Sequence, residues 1–442
     1  MGGSAVVGVL RDRTAGRCLA GVVVSGFGTS AMWLTAGIWV KSLTGSDSLA
    51  ALTVGAMWAP VLAGPALGAL ADRMDRRTLL VRGNLVMGCL LVSLVLVGSV
   101  HALRLLFAVL VLHGAIGVLL GAAESALVAG TVPASLLADF NGLRMTANEG
   151  MKLVAPLAGA GLYVRFGGPA VALSAAATCA LAALIFARLP KGEAPRPPDR
   201  HSARGPESPP GPEPAPGAES APCAESAPAL QGRPAPAASW RDELAAGLRR
   251  IRGSAVLRPL VTAGAATMLS AGVNGALTFA YVDEVLDRTP AYAGVLYAVQ
   301  GAGSVTVGLL AGALLRRLPE RVFAAGGILL FALGAGARTV PSDAVALGAS
   351  AAIGFGLPCV LIAAMTAVQR ETPDAVLGRT AATAGSLMTA PNAVALFLGA
   401  GLVAVVDVRV LTAAAGAGAA AAAVLLAAGA RRPRDSPASP RP

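Results

Sequence analysis

Four titratable side chains sit inside stretches otherwise too apolar to hold them: His113, Glu124, Glu149 and Lys152. An ionisable group in hydrocarbon is costly to keep, so each is a functional candidate by default. A carboxylate in such surroundings can take up and release a proton at physiological pH, which is the chemistry of proton coupling. Glu124 falls about 10 Å from the inner end of its helix and Glu149 about 12 Å from the inner end of the next, at 1.5 Å per residue. The two carboxylates therefore sit at similar depth on neighbouring helices. Glu149 and Lys152 are three apart and can pair on one face, so a neutralised structural pair is the alternative to chemistry there. Glu124 is the better single candidate for a proton carrier. His113, eleven residues before it, returns to nearly the same face and reads as a hydrogen-bonded packing residue rather than a relay.

A second set of residues could line a binding cavity: Trp33, Asn274, Gln300 and Asn392. Aromatic surface mixed with a few polar groups suits amphipathic organic molecules. Nothing points to an enzyme. There is no Gly-x-x-x-x-Gly-Lys-Ser/Thr phosphate loop and no nucleophile–base spacing. The five cysteines and three histidines are scattered, so neither a disulfide framework nor a metal site is expected. No cofactor is called for; a proton gradient is the expected driving force.

The elements that must position these residues follow from composition. Of 442 residues, 55% are apolar and 13% charged, about half the charged fraction of a soluble domain, and mean hydropathy is +0.68. Apolar runs long enough to cross a bilayer as helices occupy Arg17–Val40, Leu49–Ala71, Thr78–Gly98, Leu103–Gly130, Asn141–Tyr163 and Pro169–Arg188. A second set occupies Val256–Val282, Ala291–Leu315, Val322–Thr339, Ala344–Val368, Thr380–Val405 and Val408–Ala430. Absence of ten-residue alternating segments excludes a barrel. The first run is longer than a leader's apolar core and is expected to be retained. The fold class is thus an all-α membrane protein of about twelve transmembrane helices in two pseudo-symmetric six-helix bundles. The first bundle spans 1–188 and the second 241–430, with a tail at 431–442.

Between the bundles, 189–240 is dense in Pro, Gly, Ala, Ser and Glu and reads as a disordered linker. "WRDELAAGLRRIRG" then places Trp240, Leu244, Leu248 and Ile251 at helical spacing beside Arg249, Arg250 and Arg252. That suits either an amphipathic helix at the inner membrane surface or an ordinary linker helix. Net charge is +11, yet the basic residues fall in the gaps between apolar runs, which is a topology signal rather than a nucleic-acid footprint. Arg73, Arg76, Arg77, Arg316, Arg317 and Arg321 share one side with the linker and both termini. Single cations such as Lys41, Arg288 and Arg338, and the acids Asp283, Glu284 and Asp287, fall on the other. The chain is therefore expected in the cell (plasma, inner) membrane with both termini cytoplasmic.

The halves repeat. "GPALGALADRMDRR" (Gly64–Arg77) aligns with "GLLAGALLRRLPER" (Gly308–Arg321), as in transporters built from duplicated bundles. Gly64 and Gly68 share a helix face and allow another helix close. Asp72, Arg73, Arg76 and Arg77 form a charge cluster that could latch one conformation and release it in another; fixing topology is the plainer role for Arg76 and Arg77.

This loop resembles the helix 2–3 signature of the major facilitator superfamily, with Asp75 where the signature has its second glycine. "VSGFGTSAMWLTAGIWVKSLTGSDSLAAL", "LLADFNGL" and "MTAVQRETPDAVLGR" resemble the branch holding macrolide-efflux and enterobactin-export proteins. The resemblance implies a secondary transporter that exports small amphipathic organic molecules (drugs, antibiotics, siderophore-like metabolites) against protons by alternating access, in a bacterial membrane, with small-molecule substrate and bilayer as partners. A monomer is compatible with it. Two departures bear on this. Leu110 stands where many drug–proton antiporters carry arginine, and Ala155 replaces the first glycine of the helix-five signature. Uptake or facilitated diffusion on the same scaffold, and a non-transporting sensor, remain open readings.

Overall fold

The computed structural model describes residues 11–71, 73–132, 134–189 and 240–428. Asp72, most of the Pro-rich linker and the 431–442 tail lie outside them. Every regular element among the described residues is helical.

The first half holds α1 (Arg13–Thr44), α2, α3 (Arg76–Ser93), α4 (Leu103–Thr131), α5 (134–166) and α6 (168–187). α2 is composite: Asp47–Trp58, a 3-10 turn at Ala59–Ala63 and Gly64–Ala71. α5 and α6 join without a loop, and only Gly167 leaves helical geometry, at φ 78°, a region closed to most side chains. The next residue, Gly168, lies against the indole of Trp39. Trp39 is 3% exposed, so it packs this corner rather than anchoring at a membrane interface, the place its position near a span end suggests.

The second half holds α7 (Trp240–Gly253), α8 (Leu257–Ala276), α9 (Tyr292–Arg317), α10 (Glu320–Ala337), α11 (Asp343–Glu371), α12 (Asp374–Leu402) and α13 (Val408–Ala428). α8 continues through Thr278–Ala280 into a π turn at Tyr281–Val285. Nine described helices are long and apolar enough to span a membrane by themselves. α8, the composite α2, and the division of 134–187 into two bring the spans to the twelve expected. α7 turns 110° from α8 and lies across the end of its bundle. Gly247 meets Arg379 and Thr383 of α12, and Ile251 enters the second-half core.

Local chemistry sets the helix ends. Asp12 accepts from the amides of Thr14 and Ala15 at 3.0 and 2.7 Å. Asp75 accepts from the Thr78 amide at 2.8 Å, so the residue departing from the helix 2–3 signature serves as the N-cap of α3. The duplication persists in packing. Gly114 of α4 presses on the Met57 backbone of α2, and Gly354 of α11 presses on the Gln300 backbone of α9. A side chain at either glycine would displace a helix, and the two contacts occupy equivalent places in the two halves.

Candidate functional site

Each half has its own core, and a cavity lies between them in two adjoining lobes of about 500 and 690 Å³. Trp33 of α1 and Tyr297 of α9 meet edge to face across the halves, with ring centroids 4.7 Å apart. Both line both lobes, as do Trp58, Gln300 and Ser304. Asn274 and Asn392 line the second lobe only. All four residues singled out as cavity lining thus face this space.

His113 lines the first lobe and is 1% exposed. Neither of its ring nitrogens has a hydrogen-bond partner among the described residues, nor does the Trp33 indole N–H. The expected hydrogen-bonded packing role for His113 is therefore not what the geometry gives. Buried polar atoms facing a cavity without partners are the ones a ligand can satisfy. Glu124 lines neither lobe. It is half-buried near the linker end, where it feels the charge of Arg144 on α5 and reaches Cys18 on α1. Glu149 and Lys152 lie within α5, and their side chains fall outside the described residues. Leu110 is fully buried in the first-half core.

Two of the single cations assigned to the outer side are buried. Lys41 is 7% exposed and bridges Asp47 of its own half and Asp283 of the other, at 2.6 Å each. Arg338 is 2% exposed. It donates to Asn274 Oδ1 at 3.2 Å and Ser350 Oγ at 3.4 Å, and stacks 5.3 Å from the Tyr281 ring centroid. Each is a lone cation beside an apolar run, and nothing in local spacing distinguishes it from an interfacial one.

The two ends of the cavity differ. At the end away from α7 the halves are sealed by the Lys41–Asp283 bridge and by apolar clusters drawn from both halves. Phe279 lies over Gly37 and Phe397 over Gly55. At the α7 end four arginines hold backbone carbonyls of their own half. Arg76 donates to the Ala126 carbonyl at 3.0 Å. Arg77 donates to the carbonyls of Phe186 and Ala187, Arg250 to that of Glu371 and Arg321 to that of Ala255. Among the described residues no atom of another helix lies within 4 Å of the Cβ positions of Gly64, Gly68 or Gly308, so the close approach these glycines allow is not made by any described helix. Arg73 is exposed.

The fold is shared with solved transporters. The structure is similar to the POT family transporter PepTSo (TM-score 0.68, 14% identity, 95% of this chain and 98% of that one). It is similar to the nucleoside transporter NupG in a mutant form (0.67, 12%, 93% and 98%). It is also similar to the peptide transporter POT in complex with sulfate (0.65, 16%, 94% and 93%). No curated protein matches the sequence. The Major Facilitator Superfamily profile matches residues 18–386. About twelve spans in two repeated halves around a cavity closed at one end, together with that match over most of the chain, make this protein a member of the major facilitator superfamily, a membrane transporter rather than an enzyme.

Proposed function

We propose that the protein exports small amphipathic organic molecules in exchange for protons. The observation that carries this reading is the cavity itself. It is broad, largely apolar and walled by Trp33, Trp58 and Tyr297, and it is sealed at the end away from the linker. With both termini cytoplasmic, as the arginine distribution favours, the open end faces the cytoplasm, where a substrate for export is collected. Closure of that end would bring a neighbouring helix onto Gly64 and Gly68, and Asp72, Arg73, Arg76 and Arg77 would act as the latch. Glu124 is the proposed proton carrier. It stands beside the cavity rather than in it, so coupling would pass through movement of α1, α4 and α5. Glu149 and Lys152 are the second candidates for coupling.

The test is transport in proteoliposomes carrying the full chain, driven by a pH gradient, with a panel of cationic, neutral and anionic amphipathic dyes. Dye movement that collapses with the gradient and in Glu124→Gln supports the reading. Movement that persists without the gradient points to facilitated diffusion. Collapse with the gradient but not in Glu124→Gln retires Glu124 as the carrier.

A further inference from the structure

Buried cations in a membrane protein usually meet a carboxylate or line a water-filled path. Arg338 does neither with the residues described here. Its hydrogen-bond partners are an amide oxygen and a hydroxyl, both neutral. Its Nε has no partner, and no carboxylate among the described residues pairs with it. Among the described residues, then, a full positive charge is held inside the second half by neutral groups alone.

Those neutral groups connect it to the cavity. Asn274 lines the second lobe. Because its Oδ1 faces the guanidinium, its amide N–H groups are left for the lobe. The Tyr297 hydroxyl lies within reach of the Arg338 charge. It shares a 3.3 Å hydrogen bond with Thr278, and both residues line the same lobe. Among the described residues neither lobe has an acidic side chain in its lining. A low-dielectric wall backed by one uncompensated cation focuses a positive potential into the space it encloses. A cationic guest would be repelled from this lobe; an anionic one would supply the missing counter-charge.

The geometry points to a substrate that is an amphipathic organic anion of the carboxylate class, received in the second lobe by Asn274, Thr278 and Tyr297 in the field of Arg338. This rests on the exporter reading for its route and adds the sign of the substrate's charge. Arg338 acts here as a positioning residue: it orients the Asn274 amide and sets the potential without lining the lobe.

The experiment is equilibrium binding to the full-length protein in lipid nanodiscs. The probes are dansyl-leucine, an anion, and dansyl-leucinamide, its neutral counterpart, followed by fluorescence polarisation. A unit charge about 8 Å from the anion at intermediate dielectric corresponds to a preference of about tenfold or more for the anion. Arg338→Gln is expected to bring the ratio to about one through loss of anion binding, with the amide's affinity kept. Asn274→Asp places a carboxylate against the guanidinium, so it satisfies Arg338 internally, keeps the fold, and abolishes the preference in the same way. If Arg338→Gln does not fold, this second variant decides. Equal binding of the two probes, no saturable binding of either, or a preference that survives in a folded variant overturns the inference. Gradient-driven export of cationic dyes without anion preference would overturn it and leave the exporter reading standing. Anion-selective binding without gradient-driven movement would do the reverse.

Discussion

The sealed end and the open end are built from the same inventory of charges and apolar residues, used differently. At the sealed end Lys41 reaches into the other half, and apolar side chains of α1, α2, α8, α9 and α12 form shared clusters. At the open end Arg76, Arg77 and Arg250 turn back to carbonyls of their own half. Bonds within a half hold in every conformation of a rocking transporter, whereas bonds between halves hold in one only. The contacts between halves are therefore the ones that set which end is closed, and the two ends should answer mutation differently.

The largest effect is expected from Phe279→Ala. Phe279 is 2% exposed and lies on Gly37 across the halves. Truncating a buried Phe costs about 3 kcal/mol, and here much of that cost falls on the sealed conformation alone. Thermal unfolding in detergent should shift down, and a cysteine at Ala51 should become reactive to an impermeant maleimide from the sealed side. Met74→Ala at the open end, where the side chain is 39% exposed, should change neither. Similar losses in both variants would remove the distinction between the ends. Lys41→Met comes next. It leaves Asp47, itself 12% exposed, without its cation, and breaking a largely buried pair of this kind is expected to cost about 2 kcal/mol after allowance for its partial exposure. Stability should fall and maleimide should gain access from the sealed side, and Lys41→Arg should restore most of both.

The sequence carried the architecture further than the site. Apolar run length located the helices, most of them to within a few residues, because the bilayer imposes that length directly. The equivalence of Gly64–Arg77 and Gly308–Arg321 announced the two halves. Trp33, Asn274, Gln300 and Asn392 line the cavity, and polar or aromatic groups in apolar runs have few other places to go. Lys41 and Arg338 were not legible. Whether a cation at the end of a run lies in the headgroups or folds inward depends on contacts 242 residues away for Lys41–Asp283 and 64 for Arg338–Asn274. The burial of Trp39 has the same origin, since its partner Gly168 lies beyond four intervening helices. That His113 has no hydrogen-bond partner among the described residues is likewise a property of the assembled cavity and of no local pattern.

Two smaller effects sharpen the comparison further. Arg77→Gln at the open end removes donation to the last carbonyls of α6. It should lower stability by about 1 kcal/mol and leave the balance between conformations where it was. Asp283→Asn should do the opposite. Asp283 is half exposed at 49%, so solvent screens it and its bond is worth only about 0.5 kcal/mol; Lys41 keeps Asp47 in the variant, and unfolding should barely move. Yet this bond joins the halves. Its whole loss is charged to the sealed conformation, which should shift the ratio of conformations about twofold toward opening of that end. Spin labels at Ser42 and Arg288 would read this as a redistribution between short and long distances. Should Arg77→Gln move that distribution and Asp283→Asn leave it untouched, the division of labour between bonds within a half and bonds between halves would be refuted, although both variants fold.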